Sequence, residues 1–201
     1  MTDHESTARL FLAVEPTAEM VAELRAVQRA LETLQPGAWR FVPPHQLHLT
    51  MAFFERQPRQ DLLKLINVLC TSLAGIRPFR LALDAIGHFG GRAPRVAWVG
   101  VRSPDGALDT VRTTVADALK AAKIAFDDRP FRPHFTLARS RSAVARAAPV
   151  PSSPPLRWAS IDQLTLFESQ LSNKGATHSI VQAFGLEGRA PGCRSQGRND
   201  D

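Results

Sequence analysis

Two short stretches of the sequence share the pattern His-x-Thr, and they determine the predicted fold: His48-Leu49-Thr50 and His134-Phe135-Thr136. Both lie in apolar runs of strand character. In a β-strand, side chains two residues apart point to the same face, so each triplet places an imidazole beside a hydroxyl. The middle residues, Leu49 and Phe135, then point to the other face and pack beneath helices. The pattern predicts a sheet with one polar and one apolar face.

The spacing of the triplets indicates an internal repeat. The second triplet follows the first by 86 residues (from 48 to 134), and the same offset relates two earlier strand starts at Arg9 and Arg95. A strand–helix–strand unit that occurs twice predicts two similar lobes related by a pseudo-two-fold axis. If the lobes face each other across a cleft, two imidazoles and two hydroxyls converge on one volume.

Strands and helices alternate along the rest of the chain. Apolar periodicity predicts helices over residues 21–34, 62–73 and 108–122. Strands are predicted over residues 9–14, 46–54, 79–89, 95–101, 134–138, 163–167 and 178–184, with a hairpin turn at Gly90-Gly91. Residues 140–157 are rich in proline and read as a loop.

Length and composition predict one ordinary globular domain. The chain has 201 residues, of which 44% are hydrophobic and 22% charged, so neither wholesale disorder nor a fibrous repeat is expected. We predict a flexible N-terminus over residues 1–7, a single bilobal domain over residues 8–186 and a disordered tail over residues 187–201. The sequence shows no secretory signal and no apolar run of membrane-spanning length. We therefore expect a cytoplasmic monomer without a membrane partner.

The net charge indicates the class of partner. The formal charge is +6, and only four of the 25 cationic residues are lysines. Arginine binds phosphate through two parallel hydrogen bonds, so an arginine-rich basic domain favours a phosphorylated or nucleic-acid partner. A biased genome composition explains the arginine content equally well.

The paired triplets suit displacement at phosphorus. One histidine can deprotonate the nucleophile while the other protonates the leaving oxygen. Histidine serves both purposes because its ordinary pKa of about 6.5 leaves both protonation states accessible near neutrality. The hydroxyls of Thr50 and Thr136 can donate to the non-bridging oxygens of the phosphate.

A cationic group should complete such a site, because two hydroxyls compensate the charge of the transition state poorly. Arg132 shares the parity of His134 and faces the cleft if the strand extends that far. Arg139 has the opposite parity, so a bulge or the end of the strand must redirect it. For both arginines, an ordinary solvated surface position is the alternative.

Other chemistry has weaker support in the sequence. His45 lies near His48, but no carboxylate or cysteine nearby has zinc-ligand spacing. Asp127-Asp128 precedes His134 but is better explained by a turn after a helix, so no metal site and no cofactor are predicted. Cys70 and Cys193 are predicted to be unpaired thiols. The aromatic residues Phe11, Phe53 and Phe54 are either core residues or surfaces on which a nucleobase stacks.

Two longer stretches resemble the paired HxTx motifs of the 2H phosphoesterases: His48-Leu49-Thr50-Met51-Ala52-Phe53 and Arg132-Pro133-His134-Phe135-Thr136-Leu137-Ala138-Arg139. The resemblance is greatest to the bacterial RNA 2',3'-cyclic phosphodiesterases, also called 2'-5' RNA ligase-like proteins, and covers nearly all of residues 8–186. Residues 9–14 are similar to the family's opening strand, and residues 166–169 with 175–176 to its closing hairpin. His178 stands where relatives commonly carry tyrosine.

The resemblance implies an α+β fold with two pseudo-symmetric lobes, largely antiparallel sheets around a central cleft, helices on the outer faces and no metal requirement. It implies hydrolysis of an RNA-terminal 2',3'-cyclic phosphate to a 2'-phosphate, with RNA 3' ends or cyclic nucleotides as substrates. On this pattern His48 protonates the departing O3' and His134 activates water. Arg139 matches the arginine of the family motif.

Other functions are compatible with the same residues. A non-catalytic module could bind RNA ends or nucleotides in the basic cleft and leave them unchanged. The same acid and base also permit the reverse reaction, 2'-5' ligation, and related 2H enzymes cleave linear 2'-5' oligoadenylates.

Overall fold

The computed structural model describes residues 6–91, 94–141, 151–172 and 175–187. Residues 1–5, the middle of the proline-rich loop and all of the predicted tail except Glu187 lie outside these ranges, as does Cys193. The predicted flexible N-terminus and disordered tail therefore stay predictions.

The described residues form nine strands and three α-helices. The strands are β1 (Thr7–Val14), β2 (Trp39–Phe41), β3 (Leu49–Pro58), β4 (Phe79–Phe89), β5 (Val96–Arg102), β6 (His134–Ser140), β7 (Ala159–Ile161), β8 (Gln163–Ser172) and β9 (Gly175–Gly185). The helices are α1 (Ala18–Leu34), α2 (Leu62–Leu73) and α3 (Ala107–Ala121). The three predicted helices are confirmed, whereas the three-residue strands β2 and β7 are too short to give a periodic pattern and were not predicted.

One antiparallel sheet runs through both lobes. Its order is β7-β4-β5-β6-β3-β1-β8-β9, and β2 pairs with the later half of β6. Strands β3 and β6 meet in the middle through the single residue pair Leu49–Phe135. The two lobes therefore share a continuous sheet, and the predicted α+β class with antiparallel strands is confirmed.

The helices cover the apolar face of this sheet. Helix α1 begins after Thr17, whose hydroxyl accepts a hydrogen bond from the backbone N–H of Met20. Its buried residues recur on one helical face and join buried side chains from the strands in one large core. The opposite face of the sheet is left for the threonines and histidines of the two triplets.

Strand β6 bulges directly after its triplet. Thr136 pairs with Trp98 and Ala138 pairs with Ala97, so Leu137 is an extra residue on β6. Leu137 and Ala138 are both buried. Because the extra residue reverses the alternation, Arg139 returns to the face that carries His134 and Thr136.

Strand β3 bulges at the corresponding place. Thr50 pairs with Ala13 and Ala52 with Leu12, which makes Met51 the extra residue. The two triplets are thus equivalent in backbone geometry as well as in sequence, and the offset of 86 residues holds across both bulges. Phe53 occupies in the first lobe the place that Arg139 occupies in the second.

The offset predicted for the opening strands is wrong by one residue. Through their pairing with the bulged strands, Leu12 of β1 corresponds to Ala97 of β5, so the match of Arg9 with Arg95 is out of register. The connection from β5 to β6 is one residue longer than that from β1 to β3. Surface connections accept such insertions at little cost, which is why only the triplet strands keep the original spacing.

The start of the strand predicted over residues 46–54 is also corrected. Pro43 and Pro44 lead into a short 3-10 helix over Pro44–Gln46, because proline fixes its backbone in a conformation that suits the first helical position. Strand β3 begins at Leu49, and His48 is the residue just before it.

Gln28, a buried polar residue of α1, stabilises the bulge in β6. Its amide nitrogen donates to the carbonyl oxygens of Leu137 and Val42, both at 2.9 Å. The N–H of Val42 also donates to the carbonyl of Leu137. The Leu137 carbonyl at the bulge therefore accepts one backbone and one side-chain hydrogen bond, and the side-chain donor comes from the helix layer.

We expect Gln28→Leu to lower the free energy of unfolding by about 1–3 kcal/mol, because it leaves two carbonyl oxygens without their side-chain donor in the core. Urea denaturation followed by circular dichroism measures the change. Arg25→Leu, at an exposed position of the same helix, should stay within about 0.5 kcal/mol of the parent protein. Equal effects of the two substitutions would contradict this account of the bulge.

Candidate active site

The two triplets cross at the centre of the sheet. Leu49 and Phe135 form the antiparallel pair and are both buried on the helix side. Continuing this register by one residue in each direction places His48 beside Thr136 and His134 beside Thr50. All four side chains are half-buried on the opposite face. The histidines are then diagonal neighbours, a relation in which the residues lie about 7–8 Å apart and their Cβ atoms slightly closer.

Both imidazoles are oriented by the same backbone contact. The Nδ1 atom of His48 lies 2.7 Å from the carbonyl oxygen of Gln46, and that of His134 lies 2.5 Å from the carbonyl oxygen of Arg132. A carbonyl only accepts, so Nδ1 of each ring carries the proton that it donates. The Nε2 atom of each ring is left to exchange a proton with a ligand.

Gln46 is a positioning residue that the sequence did not indicate. Its side-chain nitrogen donates to the carbonyl oxygen of Ala176 on β9, at 3.1 Å, while its own carbonyl accepts from His48. The turn before β3 is thereby tied to the edge strand of the sheet. The sequence predicted Gln46 only as the first residue of a strand, and nothing in that pattern indicates a contact with β9.

The environment favours the neutral form of both rings. Burial lowers the pKa of His48 from 6.5 to about 4; the Gln46 carbonyl opposes this shift, and the positive charges of His178, His134 and Arg139 add to it. Burial also lowers the pKa of His134, with the Arg132 carbonyl opposing and Arg139 adding to the effect. A cleft that resists positive charge on its own histidines is one that an anion would complete.

The two candidate arginines have different relations to the site. Arg139 follows the bulge in β6, and its charge lowers the pKa of both His48 and His134. Arg132 lies before the start of β6 at His134, so the strand does not extend to it. Its carbonyl orients His134, and its side chain is exposed.

Aromatic rings surround His48. The ring of Phe11 stacks on His48 with centroids 4.5 Å apart, and Phe167 stacks on Phe11 at 5.2 Å. His178 meets His48 edge to face at 5.3 Å and contacts Phe11 at 4.8 Å. Phe11 thus lies on the site face, whereas Phe54 belongs to the main core.

A second aromatic group surrounds His134. Phe89 meets the imidazole edge to face at 5.0 Å, and the indole of Trp98 lies 6.0 Å away. Trp98 pairs with Gly87 across the β4–β5 hairpin, and a Cβ atom at Gly87 would lie 2.3 Å from the indole. The glycine therefore provides the space in which the indole rests beside the histidine.

The sequence matches one family over most of its length. The family model of the 2'-5' RNA ligase superfamily matches residues 14–173. The chain belongs to this superfamily.

Relatives of the superfamily cover nearly the whole chain. An RNA 2',3'-cyclic phosphodiesterase of Thermus thermophilus is 33% identical over 94% of this chain and 99% of its own. A protein of the same name from Escherichia coli is 26% identical over 89% of this chain and 96% of its own.

Solved structures agree with the sequence relatives. The crystal structure of TT0787 of Thermus thermophilus superposes with a TM-score of 0.72 at 31% identity, and covers 90% of this chain and 100% of that chain. The crystal structure of Escherichia coli LigT in apo form gives a TM-score of 0.73 at 25% identity over 90% of this chain and 98% of that chain. The predicted family, fold class and enzyme class, a hydrolase of phosphodiester bonds, are confirmed.

Two aromatic residues beside His134 could not be derived from the sequence or from the superfamily. Phe89 and Trp98 were not predicted as site residues, although the hairpin containing them was. The pairing of a glycine with a tryptophan across that hairpin depends on its register, which the sequence alone does not give.

Within the described residues, no group of three or more His, Cys, Asp or Glu side chains could hold a metal ion. None of the helices in this part of the chain combines the length and the apolar character of a membrane span.

We expect Gly87→Ala to displace the Trp98 indole and to lower the free energy of unfolding by about 1–3 kcal/mol, because the added methyl overlaps a ring held on a strand. Urea denaturation gives the energy, and the NMR chemical shift of the His134 ring reports the displacement. The matched control is Gly75→Ala, where an added Cβ meets no atom within 4 Å. An unchanged His134 resonance in Gly87→Ala would contradict the proposed packing.

Proposed function

We propose that this protein hydrolyses the 2',3'-cyclic phosphate at RNA 3' ends to a 2'-phosphate, with His48 as proton donor and His134 as proton acceptor. One observation supports the proposal: the two triplets meet at the Leu49–Phe135 pair, and each imidazole is held through Nδ1 by a backbone carbonyl. The names of the sequence relatives support the cyclic phosphate as substrate.

The reaction needs two proton transfers on opposite sides of phosphorus. Neutral His134 accepts a proton from water through Nε2, and the resulting hydroxide attacks the phosphorus atom. Protonated His48 gives its Nε2 proton to O3' as the P–O3' bond breaks, which leaves the phosphate on O2'. Water and the leaving oxygen are then roughly in line, as displacement at phosphorus requires.

The remaining polar groups of the cleft stabilise the charge that develops on phosphate. The hydroxyls of Thr50 and Thr136 stand beside the imidazoles and donate to the non-bridging oxygens. Arg139 supplies positive charge from the same face of β6. Such donors, fixed before the reaction begins, stabilise a developing anion more than mobile water does.

The lowered pKa of His48 sets a condition on the mechanism. In the free protein its ring is mostly neutral at pH 7, because its pKa is about 4. A bound phosphate anion favours the charged form of the ring and raises this pKa. Substrate binding thus helps to create the acid that the reaction uses.

We expect His48→Ala and His134→Ala each to lower the rate on an RNA with a terminal 2',3'-cyclic phosphate by about 10²- to 10⁴-fold, because each removes one proton-transfer group. The assay contains excess EDTA and identifies the product as 2'- or 3'-phosphate by chromatography. His45→Ala, an exposed histidine close in sequence, is the matched control and should retain the parent rate within about threefold.

Three outcomes of this assay would contradict the proposal. They are RNA bound but unchanged, as a binding module would leave it; a 3'-phosphate product; and full activity in both histidine variants. The same incubation with linear 2'-5' oligoadenylate tests the related diesterase activity directly.

The dependence of kcat/KM on pH should be bell-shaped with a maximum below about pH 6.5. This parameter reports the free enzyme, in which one ring must be protonated and the other neutral. The pKa values of both rings are lowered from 6.5, so the rate falls on the alkaline side as the acid loses its proton. It falls on the acidic side as the base gains one. A maximum above about pH 7.5 would contradict the assignment, provided that circular dichroism shows the protein folded throughout.

A further inference from the structure

Two arginines face each other on neighbouring strands at the edge of the cleft. Arg40 of β2 pairs directly with Arg139 of β6. Directly opposite residues of an antiparallel pair share one face of the sheet, with Cβ atoms about 5 Å apart. The alternation on β2 agrees, because Trp39 is buried on the helix side whereas Arg40 is exposed. Strand β5 occupies the other edge of β6 from His134 to Arg139, so β2 lies on the edge of β6 that β3 also uses. Arg40 therefore lies on the same face as the two triplets, on that side of Arg139.

This pair has no counter-ion in the part of the chain that the structure describes. No carboxylate there forms an ion pair with Arg40 or Arg139. Like charges directly opposite each other destabilise a sheet. A cross-strand pair of cations without a carboxylate is therefore expected where the protein binds an anion with more than one charge.

A third arginine stands beside the pair. Arg141 follows β6 and donates from Nε to the carbonyl oxygen of Trp39, at 3.1 Å. Its contact with β2 holds its positive charge next to Arg40. Three arginines therefore lie together along β2 and the end of β6.

The other lobe is different at the corresponding place. Phe53 occupies on β3 the position that Arg139 has on β6, and the N–H of Asp127 binds the Phe53 carbonyl there. The guanidinium of Arg9 covers the Phe53 ring at 4.7 Å. The two directly opposite arginines on adjacent strands therefore lie in the second lobe, whereas the first lobe has Arg9 over Phe53 at the corresponding place.

The order of charges relative to the histidines indicates how an RNA would lie. Arg139 contributes to the lowered pKa of both imidazoles, so its positive charge acts on the space between them. Arg40, on the neighbouring strand, contributes to neither pKa shift, so its charge lies farther from the two imidazoles than that of Arg139. In an RNA chain the next phosphate is the one on the 5' side of the terminal nucleoside.

We propose that Arg40 binds the phosphate on the 5' side of the terminal nucleoside, so that the site selects an RNA chain over a free nucleoside 2',3'-cyclic phosphate. This inference rests on the proposed function, because it assumes that the terminal cyclic phosphate occupies the space between His48 and His134. Arg40 acts on specificity and takes no part in proton transfer.

The test compares two substrates with the same terminal nucleoside: a nucleoside 2',3'-cyclic phosphate with a free 5'-hydroxyl, and a hexaribonucleotide that ends in the same cyclic phosphate. We expect Arg40→Gln to lower kcat/KM for the hexanucleotide by about tenfold through loss of a charged phosphate contact. The value for the nucleoside should change less than about twofold. Arg40→Lys should recover most of the loss, since the positive charge returns.

The salt dependence provides a second readout. For the hexanucleotide, the slope of log kcat/KM against log salt concentration should be smaller by about 0.7 in Arg40→Gln, the value for one phosphate contact to a single strand. Arg25→Gln removes the same charge from an exposed position of α1, and it should leave both substrates and the slope unchanged.

The possible failures are separable. Equal losses on both substrates, no loss on either, or the same loss in Arg25→Gln would overturn the role of Arg40 while the proposed function stands. If the parent protein hydrolyses neither substrate, the proposed function fails. Fluorescence anisotropy with a hexanucleotide ending in a 3'-phosphate then decides the role of Arg40: unchanged affinity in Arg40→Gln overturns it, and affinity weakened about tenfold supports it.

Discussion

The pair formed by Leu49 and Phe135 is the contact on which the site depends. It is the place where β3 and β6 meet, and it joins the two halves of the sheet. Both side chains are buried, so a slip of register by one residue would expose two large apolar groups and bury two imidazoles and two hydroxyls. The hydrophobic effect on one face of the sheet thus fixes the chemistry on the other face.

The groups around the two histidines orient the imidazole rings, and the same groups also affect the charge of the rings. The carbonyls of Gln46 and Arg132 fix the ring tautomers, and aromatic neighbours fix the ring planes. The same packing removes water and so makes an isolated positive charge costly. The cleft is therefore best matched to a bound anion, and the free protein holds its histidines in the neutral form.

Features that follow from alternation along a single strand could be predicted from the sequence. Features that depend on how neighbouring strands pair could not. His48, Thr50, His134 and Thr136 could be placed on one face because strand alternation is a local rule. The sequence allowed either a bulge or the end of the strand to turn Arg139 toward the cleft. It could not decide between them, because the donors to the Leu137 carbonyl, Gln28 of α1 and the backbone N–H of Val42, are distant in sequence. The contact of Gln46 with β9 and the seat of Trp98 on Gly87 depend on register between strands, which single-residue patterns do not encode. The pairing of Arg40 with Arg139 could not be predicted for the same reason, because β2 is too short to give a pattern and Arg139 follows a bulge in β6.

The unlike residues at the two bulges give the cleft a polarity. A pocket with perfect two-fold symmetry would bind an elongated ligand equally well in either orientation and would not discriminate between the two ends of the ligand. With Phe53 after one bulge and Arg139 after the other, the halves of the repeat have become unequal partners. The difference between Phe53 and Arg139 therefore makes the two ends of the cleft chemically distinct, so that an elongated ligand has one preferred orientation.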